Sequence, residues 1–397
     1  MKSLDKIQIK NKKVIYRADL NVPLFDGKIT DYSRINSVVP SIKKLINNNN
    51  KIFILAHFGR PKGKVDKKYS LKFLCKELRV ILNQEKIHFL ETFENKLINN
   101  KIKEMKYGEI CLFENIRFNP GEENNDSSFS KSLASNFDIY VNDAFSASHR
   151  NHSSITGITN YLPSYAGLNF SKEIDNLDKF LDNASKPNVA IIGGSKISTK
   201  IKVLENLVEL FDSIIIGGAM ANTFLLANGF NVGTSLVEND YVNLSKKIQQ
   251  KAKQKKCKII LPIDVVCSTG LKDKNIRACN IKEVYNDQMI LDIGEKSSQL
   301  ISETILKSRS VLWNGPLGAF EYSPFDKSTI EVANTLKKYS NELKIDTLAG
   351  GGDTLSAINK AEAKDAFNYL SNAGGAFLEW LEGNKSPGFI ALKRNKL

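Results

Sequence analysis

Arginine and histidine recur at one kind of place in this chain, directly behind short β-branched runs. The run at residues 14–18 is followed by Asp19 and Asn21 in RADLNVP, and that at 52–56 by His57 and Arg60 in AHFGRP. The run at 110–113 leads into Asn115 and Arg117, and that at 139–141 leads through Asp143 to His149 and Arg150. Arg34 opens the first helical stretch. In an open parallel sheet the residues beyond the carboxyl ends of the strands converge on one crevice. Four arginines and two histidines would face it there. A guanidinium grips phosphate or carboxylate with two parallel hydrogen bonds, whereas lysine offers only a point charge. In a chain otherwise rich in lysine, arginine repeatedly set at strand ends predicts an anion site.

The second half carries a different set. Its runs end in Gly193–Gly194, Gly217–Gly218, Asn314–Gly315 and residues 350–352, all glycine in the last case. Glycine lets a backbone approach a ligand closely, and a helix N-terminus offers N–H groups to phosphate. Four such turns in one half predict a nucleotide. Neither G-x-x-x-x-G-K-[ST] nor G-x-G-x-x-G is present, so the usual phosphate fingerprints are not met. A cation for phosphate is available in Lys196 or Lys200, within GGSKISTK, and one acid, Asp353, follows the triple glycine. Mg²⁺ is commonly held by one or two carboxylates together with substrate phosphates, so a single Asp suffices.

These residues need strands alternating with helices. Strands are expected at 14–18, 52–56, 110–113, 139–141, 189–192, 214–216, 259–261, 311–313 and 347–348. Helices are expected at 33–46, 71–82, 198–210, 240–253 and 353–361. The alternation predicts parallel sheets covered on both faces. The boundary falls between Pro163 and Pro187: a loop at 161–167, a charged Leu-spaced helix at 171–181, then a fresh strand. Two α/β lobes of similar size result, with four strands in the first and five in the second.

Composition bounds the reading. The 397 residues are 42% hydrophobic and 25% charged, enough apolar material for real cores. No window holds about 18 uninterrupted apolar residues, and residues 1–13 lack the pattern of a signal peptide. Both observations predict a cytoplasmic protein without a membrane span. The 57 Lys and Arg against 43 Asp and Glu leave a net charge of +14. Much of this excess sits in Lys- and Asn-rich helix faces. Without an aromatic-rich run or a compact basic motif, it does not argue for a nucleic-acid partner. Five cysteines form no C-x-x-C and no even set, which predicts free thiols and no zinc.

Taken in order, RADLNVP, AHFGRPKG, ENIRF, DAFSASHR, GGSKISTKI, GGAMANTF, WNGPLGAFE and AGGGDTLSAI closely resemble the successive signatures of the phosphoglycerate kinase family, in its bacterial form, from about Arg17 to Glu382. The resemblance implies two Rossmann-like three-layer lobes with parallel sheets, joined by a helix and hinge. Residues 1–168 would form a phosphoglycerate-binding lobe, 169–186 the connection, and 187–380 a nucleotide-binding lobe. Residues 381–397 would return to the first lobe, with a strand near Pro387. It implies a glycolytic kinase, a monomer, that reversibly moves the acyl phosphate of 1,3-bisphosphoglycerate to MgADP, giving 3-phosphoglycerate and MgATP, in line and within a hinge-closed cleft. By motif, Asp19, Asn21, Arg34, His57, Arg60, Arg117 and Arg150 would bind the phosphoglycerate. Lys196 or Lys200, Glu321, Gly351, Gly352, Asp353 and Thr354 would bind nucleotide, with Asp353 on Mg²⁺ and Glu321 toward the ribose. Arg34 and Lys200 would act on the charge of the transition state.

Two positions depart from the family pattern. Its S-T-G-G-G-A loop before the final helix reads Ser371-Asn372-Ala373-Gly374-Gly375-Ala376 here, which predicts a cost wherever Ala373 must take a positive φ. Ser146 stands where DAF is usually followed by glycine.

Overall fold

Two six-stranded parallel sheets carry the chain, and every strand expected from the sequence falls in one of them. The computed structural model describes residues 1–273 and 275–397. In the first unit the spatial order is Ile87–Leu90, Ile110–Phe113, Lys51–Leu55, Lys13–Arg17, Ile139–Asn142 and Ser164–Ala166. In the second unit it is Lys258–Ile260, Ser213–Ile216, Asn188–Ile192, Ser310–Asn314, Asp346–Gly350 and Tyr369–Ser371. Every neighbouring pair in both sheets is parallel.

Side chains alternate between the faces of a strand. Consecutive residues of NVAII and SVLWN are all buried, so both faces of that sheet are covered. This is why the strands read as unbroken apolar runs. Each covering helix shows the complementary spacing. Ile35, Val38, Ile42 and Leu45 of the Ser33–Asn47 helix are buried in one core with Val14, Tyr16, Ile52 and Ile54. The second sheet has its own core around Val189, Ile191, Val311 and Trp313, with Val332 and Leu336 of the Lys327–Tyr339 helix.

Numbered along the chain, the second sheet has the order 3-2-1-4-5-6 of a doubly wound nucleotide fold. The first has the order 3-4-2-1-5-6. In both, the direction of winding reverses beside the first strand, and the carboxyl ends around that reversal are where a ligand fits.

The structure corrects the element count. Ile87–Leu90 and Tyr369–Ser371 are additional parallel strands, and the expected loop at 161–167 contains the Ser164–Ala166 strand. A separate antiparallel sheet sets Asp264–Ser268 between Arg277–Asn280 and Met289–Ile293. Asp264, Ser268, Arg277, Asn280 and Asp292 interrupt its strands, so no apolar run in them exceeds three residues. Near Pro387 the expected strand is the Pro387–Arg394 helix, with Pro387 at its first position and Ser386 capping the N–H of Phe389. That order suits a helix start rather than a ladder, because proline has no N–H to contribute.

The chain divides into residues Met1–Asp175 with Lys385–Leu397, and residues Asn176–Asn384, inside the Leu168–Asp182 helix. The terminal segment is held to the first unit by Gly388 N–H to the Ser148 carbonyl (2.8 Å), and by Asn395, which accepts from Ser164 N–H (3.0 Å). All five thiols are free, and burial pushes that of Cys111 up to about 12, leaving it inert as a nucleophile.

Candidate functional site

The reversal in the first sheet sets Arg17, Leu55 and Asn142 side by side at the strand ends, so the three loops that follow share one neighbourhood. Asp19, buried at 6% exposure, is ion-paired with Arg34 from the first turn of its helix, and Ser146 donates its hydroxyl to the same carboxylate oxygen. Asn21 accepts from Gly59 N–H (2.9 Å), while Arg117 donates to the Gly59 carbonyl (2.8 Å). That turn needs glycine: Gly59 has φ +59, and a Cβ there would lie 2.4 Å from the Tyr69 ring. Arg60 follows directly and is exposed. Arg117 is itself crowded, and burial, with repulsion from Arg17 and Arg150, pulls it down to about 10 against the attraction of Glu123 and Glu122. His57 is held well below its ordinary value by burial, and by the field of Arg17, Arg117 and Arg34. Asp19, Asn21, Arg34, His57, Arg117 and Arg150 therefore stand in one electropositive cluster, with Arg60 on the turn that two of them hold.

Not every polar residue behind a strand belongs to it. Asn115 is fully buried and bonds to the Phe58 carbonyl (2.6 Å), the Phe58 N–H (3.3 Å) and the Tyr69 carbonyl (3.0 Å). It anchors the 58–69 loop. Asp143 accepts from the Tyr16 hydroxyl (2.5 Å) and the Phe170 N–H (2.7 Å), and burial raises its carboxyl. It ties the sheet to the next helix. Both are consumed by buried backbone and hydroxyl groups that would otherwise go unpaired.

In the second unit the glycine turns press against one another. A Cβ on Gly193 would meet the Pro316 carbonyl at 1.9 Å, and one on Gly315 the Gly193 carbonyl at 2.2 Å. Beside them opens a cavity of about 510 Å³, whose apolar wall includes Leu236, Met289 and Leu317, with Glu321 and Asp353 on its polar side. Both acids are exposed. Asp353 lies in the first turn of the Gly352–Lys360 helix, which begins behind Gly351 at φ +100. Thr354 is buried and accepts from Gly315 N–H (2.7 Å), and Asn314 donates to the Gly350 carbonyl (2.6 Å), so two of the glycine turns are tied together.

Lys200 donates to the Asn314 side-chain oxygen. Burial pulls its ammonium down to about 8, against the attraction of Asp353 and Glu382. Lys196 is exposed instead, near Glu238. Of the two candidates, Lys200 is the one that shares a field with Asp353. Among the described residues no group of three or more His, Cys, Asp or Glu could hold a metal alone. A hard cation carried in by phosphate oxygens fits this donor set, with Asp353 as its one carboxylate.

Sequence reasoning gave no site role to four residues. Arg17 ends a buried strand, and its signal was a charge inside an apolar run. Ser146 reaches Asp19 only through the fold. Asn314 couples Lys200 to the triple-glycine turn. Asp292 lines the cavity, accepting from the N–H groups of Ser328 (3.1 Å) and Ile293 (2.9 Å), and burial raises it to about 7. The expected strain at Ala373 is absent. The positive φ of that loop falls on Gly374, at +52, the residue before the Gly375–Leu381 helix, and Ala373 packs at 3% exposure. The glycine is retained where the backbone needs one.

A family model described as phosphoglycerate kinase matches residues 4–384. Curated relatives named phosphoglycerate kinase include one from Chelativorans sp. (strain BNC1), 46% identical over 395 residues and covering 99% of both chains. Another, from Rhizobium meliloti (strain 1021), is also 46% identical over 395 residues, again covering 99% of both chains. A solved phosphoglycerate kinase from Coxiella burnetii superposes with a TM-score of 0.91 at 37% identity, covering 99% of each chain. One from Pyrococcus horikoshii OT3 gives 0.83 at 29% identity, over 99% of this chain and 98% of that one.

Proposed function

Since the chain belongs to the phosphoglycerate kinase family, we propose that it moves the acyl phosphate of 1,3-bisphosphoglycerate to MgADP, reversibly, giving 3-phosphoglycerate and MgATP. The observation that carries the reading is the pairing of two unlike sites on one chain. One is an arginine cluster built on a sheet reversal, and the other a glycine-walled cavity with two exposed acids, Glu321 and Asp353, and the half-buried Lys200 in the field of Asp353. Formation of ATP from 1,3-bisphosphoglycerate by the purified protein, followed in a coupled assay, tests it. Absence of ATP formation with folded protein refutes it.

In this reading Asp19, Asn21, Arg34, His57, Arg60, Arg117 and Arg150 bind and orient the phosphoglycerate. Asn21 and Arg117 also fix the Gly59 turn, so their contribution is partly geometric. The cavity takes the nucleoside, with Glu321 toward the ribose, and the backbone of Gly351 and Gly352 meets the phosphates. Lys200 and Arg34 place positive charge on the phosphoryl group as it spreads over its equatorial oxygens. Mg²⁺ arriving with the nucleotide supplies charge neutralisation between phosphates, and Asp353 would hold it. No helix among the described residues is long and apolar enough to cross a membrane. The proposal places the reaction in the cytoplasm and in a monomer.

Replacing Asp353 with alanine is expected to raise the KM for MgADP about tenfold or more while leaving the KM for phosphoglycerate near normal, since it is the acid in the glycine-rich turn. Unchanged MgADP affinity and turnover would remove Asp353 from the metal. The proposed ligand sets belong to separate units and in-line transfer needs reacting atoms within about 3–3.5 Å, so ligand-driven closure is part of this proposal. Solution scattering with 3-phosphoglycerate and a MgATP analogue together is expected to give a smaller radius of gyration than either ligand alone. An unaltered curve would rule closure out.

A further inference from the structure

His57 heads a chain of four buried polar groups, with Arg17, Ser154 and Glu122 behind it, whose donors and acceptors follow from their chemistry. Arg17 is 1% exposed, the most buried guanidinium of the described residues. Its Nε donates to Ser154 Oγ (2.9 Å), one terminal nitrogen donates to the Ala18 carbonyl (2.5 Å), and the other lies 3.0 Å from His57 Nδ1. Ser154 in turn donates its hydroxyl to Glu122 (2.6 Å) and its N–H to the other carboxylate oxygen (2.8 Å). Glu122 is fully buried, with His152 Nδ1 at 3.6 Å. Burial works to raise its carboxyl, yet His152, Arg17 and Ser154 together hold it below its ordinary value. The anion thus sits at one end of the chain and the imidazole at the other.

A guanidinium has five N–H donors and no acceptor. His57 Nδ1 can meet Arg17 only as an acceptor, which leaves the ring proton on Nε2. We infer that Arg17 is a positioning residue that sets His57 in the neutral Nε2–H form, so that the ring offers an oxyanion one directed donor rather than a charge. The inference rests on the reading that His57 binds the phosphoglycerate. Neutral His57 also adds nothing to the repulsion inside the arginine cluster. The guanidiniums of Arg17, Arg117 and Arg34 surround it, with the His152 ring behind, and this surrounding disfavours the doubly protonated ring. Glu122 offsets the charge of Arg17 through Ser154, which lets a guanidinium remain buried beneath a site that must itself be positive.

The test is the long-range ¹H–¹⁵N spectrum of the full-length protein labelled on histidine, with His57 assigned by its loss in His57→Gln. His57 is expected as the neutral Nε2–H tautomer, and to stay so as the pH falls through about 6.5, the ordinary imidazole midpoint. In Arg17→Met its midpoint is expected to rise toward that value, with both nitrogens protonated below it. A wild-type His57 protonated on Nδ1, or charged at that pH, overturns the proposal, as does an Arg17→Met spectrum identical to wild type. If Arg17→Met does not fold, the wild-type titration decides alone. Adding 3-phosphoglycerate separates the two readings. A wild-type Nε2–H form whose resonance ignores the ligand keeps the role of Arg17 and refutes the contact between His57 and phosphoglycerate.

Discussion

Replacing Arg34 with alanine is expected to lower kcat by about 10²-fold or more, a loss of ~3 kcal/mol of transition-state stabilisation. The residue occupies the first turn of the Ser33–Asn47 helix and is ion-paired with Asp19, which Ser146 also holds. Its guanidinium is therefore in place before a ligand arrives and needs little reorganisation as charge develops. Alanine would also leave Asp19, at 6% exposure, without its cation, so the KM for 3-phosphoglycerate should rise alongside the fall in kcat. Arg34→Lys keeps a charge and loses the planar fork, and should recover only part of the rate. Steady-state kinetics with both substrates saturating would check this. A kcat near normal in Arg34→Ala would take the residue off the catalytic list.

Lys200 should produce an equal loss and a pH signature of its own. Lys200→Ala is expected to lower kcat by about 10²-fold or more. Burial is the larger influence on the ammonium and outweighs Asp353 and Glu382, so it titrates near 8 rather than in the usual lysine range. A depressed lysine is charged below its midpoint and neutral above it, so the active form is lost as the pH rises. The value of kcat/KM for MgATP, which reports the free enzyme, should therefore fall on the alkaline side with an apparent midpoint near 8. Bound phosphate favours the charged form, so the corresponding limb in kcat should lie at higher pH. Lys200→Arg, which stays protonated, should abolish the limb even where activity is low. An alkaline limb near 8 that persists in Lys200→Arg would assign it to another group.

Much of the fold was legible because parallel sheets bury both faces. Runs such as Val189 to Ile192 or Val311 to Trp313 have no polar alternation to obscure them. The strands missed were those without that property. Ile87–Leu90 alternates between half-buried and buried at a sheet edge, and the antiparallel strands Asp264–Ser268 and Arg277–Asn280 mix Asp264, Arg277 and Asn280 among their apolar residues. Short segments of this kind become strands through their neighbours' ladders, which no local pattern encodes.

The sites divide along the same line. Residue type and place after a strand were enough to put forward Asp19, His57, Arg117 and Asp353, with Arg34 at a helix start and Lys196 or Lys200 as alternatives, because carboxyl ends converge wherever a parallel sheet forms. Position could not say which polar side chain a loop would consume for itself. Asn115 and Asp143 occupy the same kind of place as Asn21 and Asp19, yet both are spent on buried loop and helix anchors. Likewise Lys196 and Lys200 differ by four residues, and only packing buries one of them against Asn314. Arg17 was hidden in the opposite way. As the end of an apolar strand it read as structure, and only the tertiary contacts with Ser154 and His57 give its charge a use. Chemistry that depends on residue type and strand order was written in the sequence. Chemistry that depends on which buried donor finds which acceptor was decided by the fold, because an unpaired buried polar group costs ~1–3 kcal/mol and the chain resolves that cost only in three dimensions.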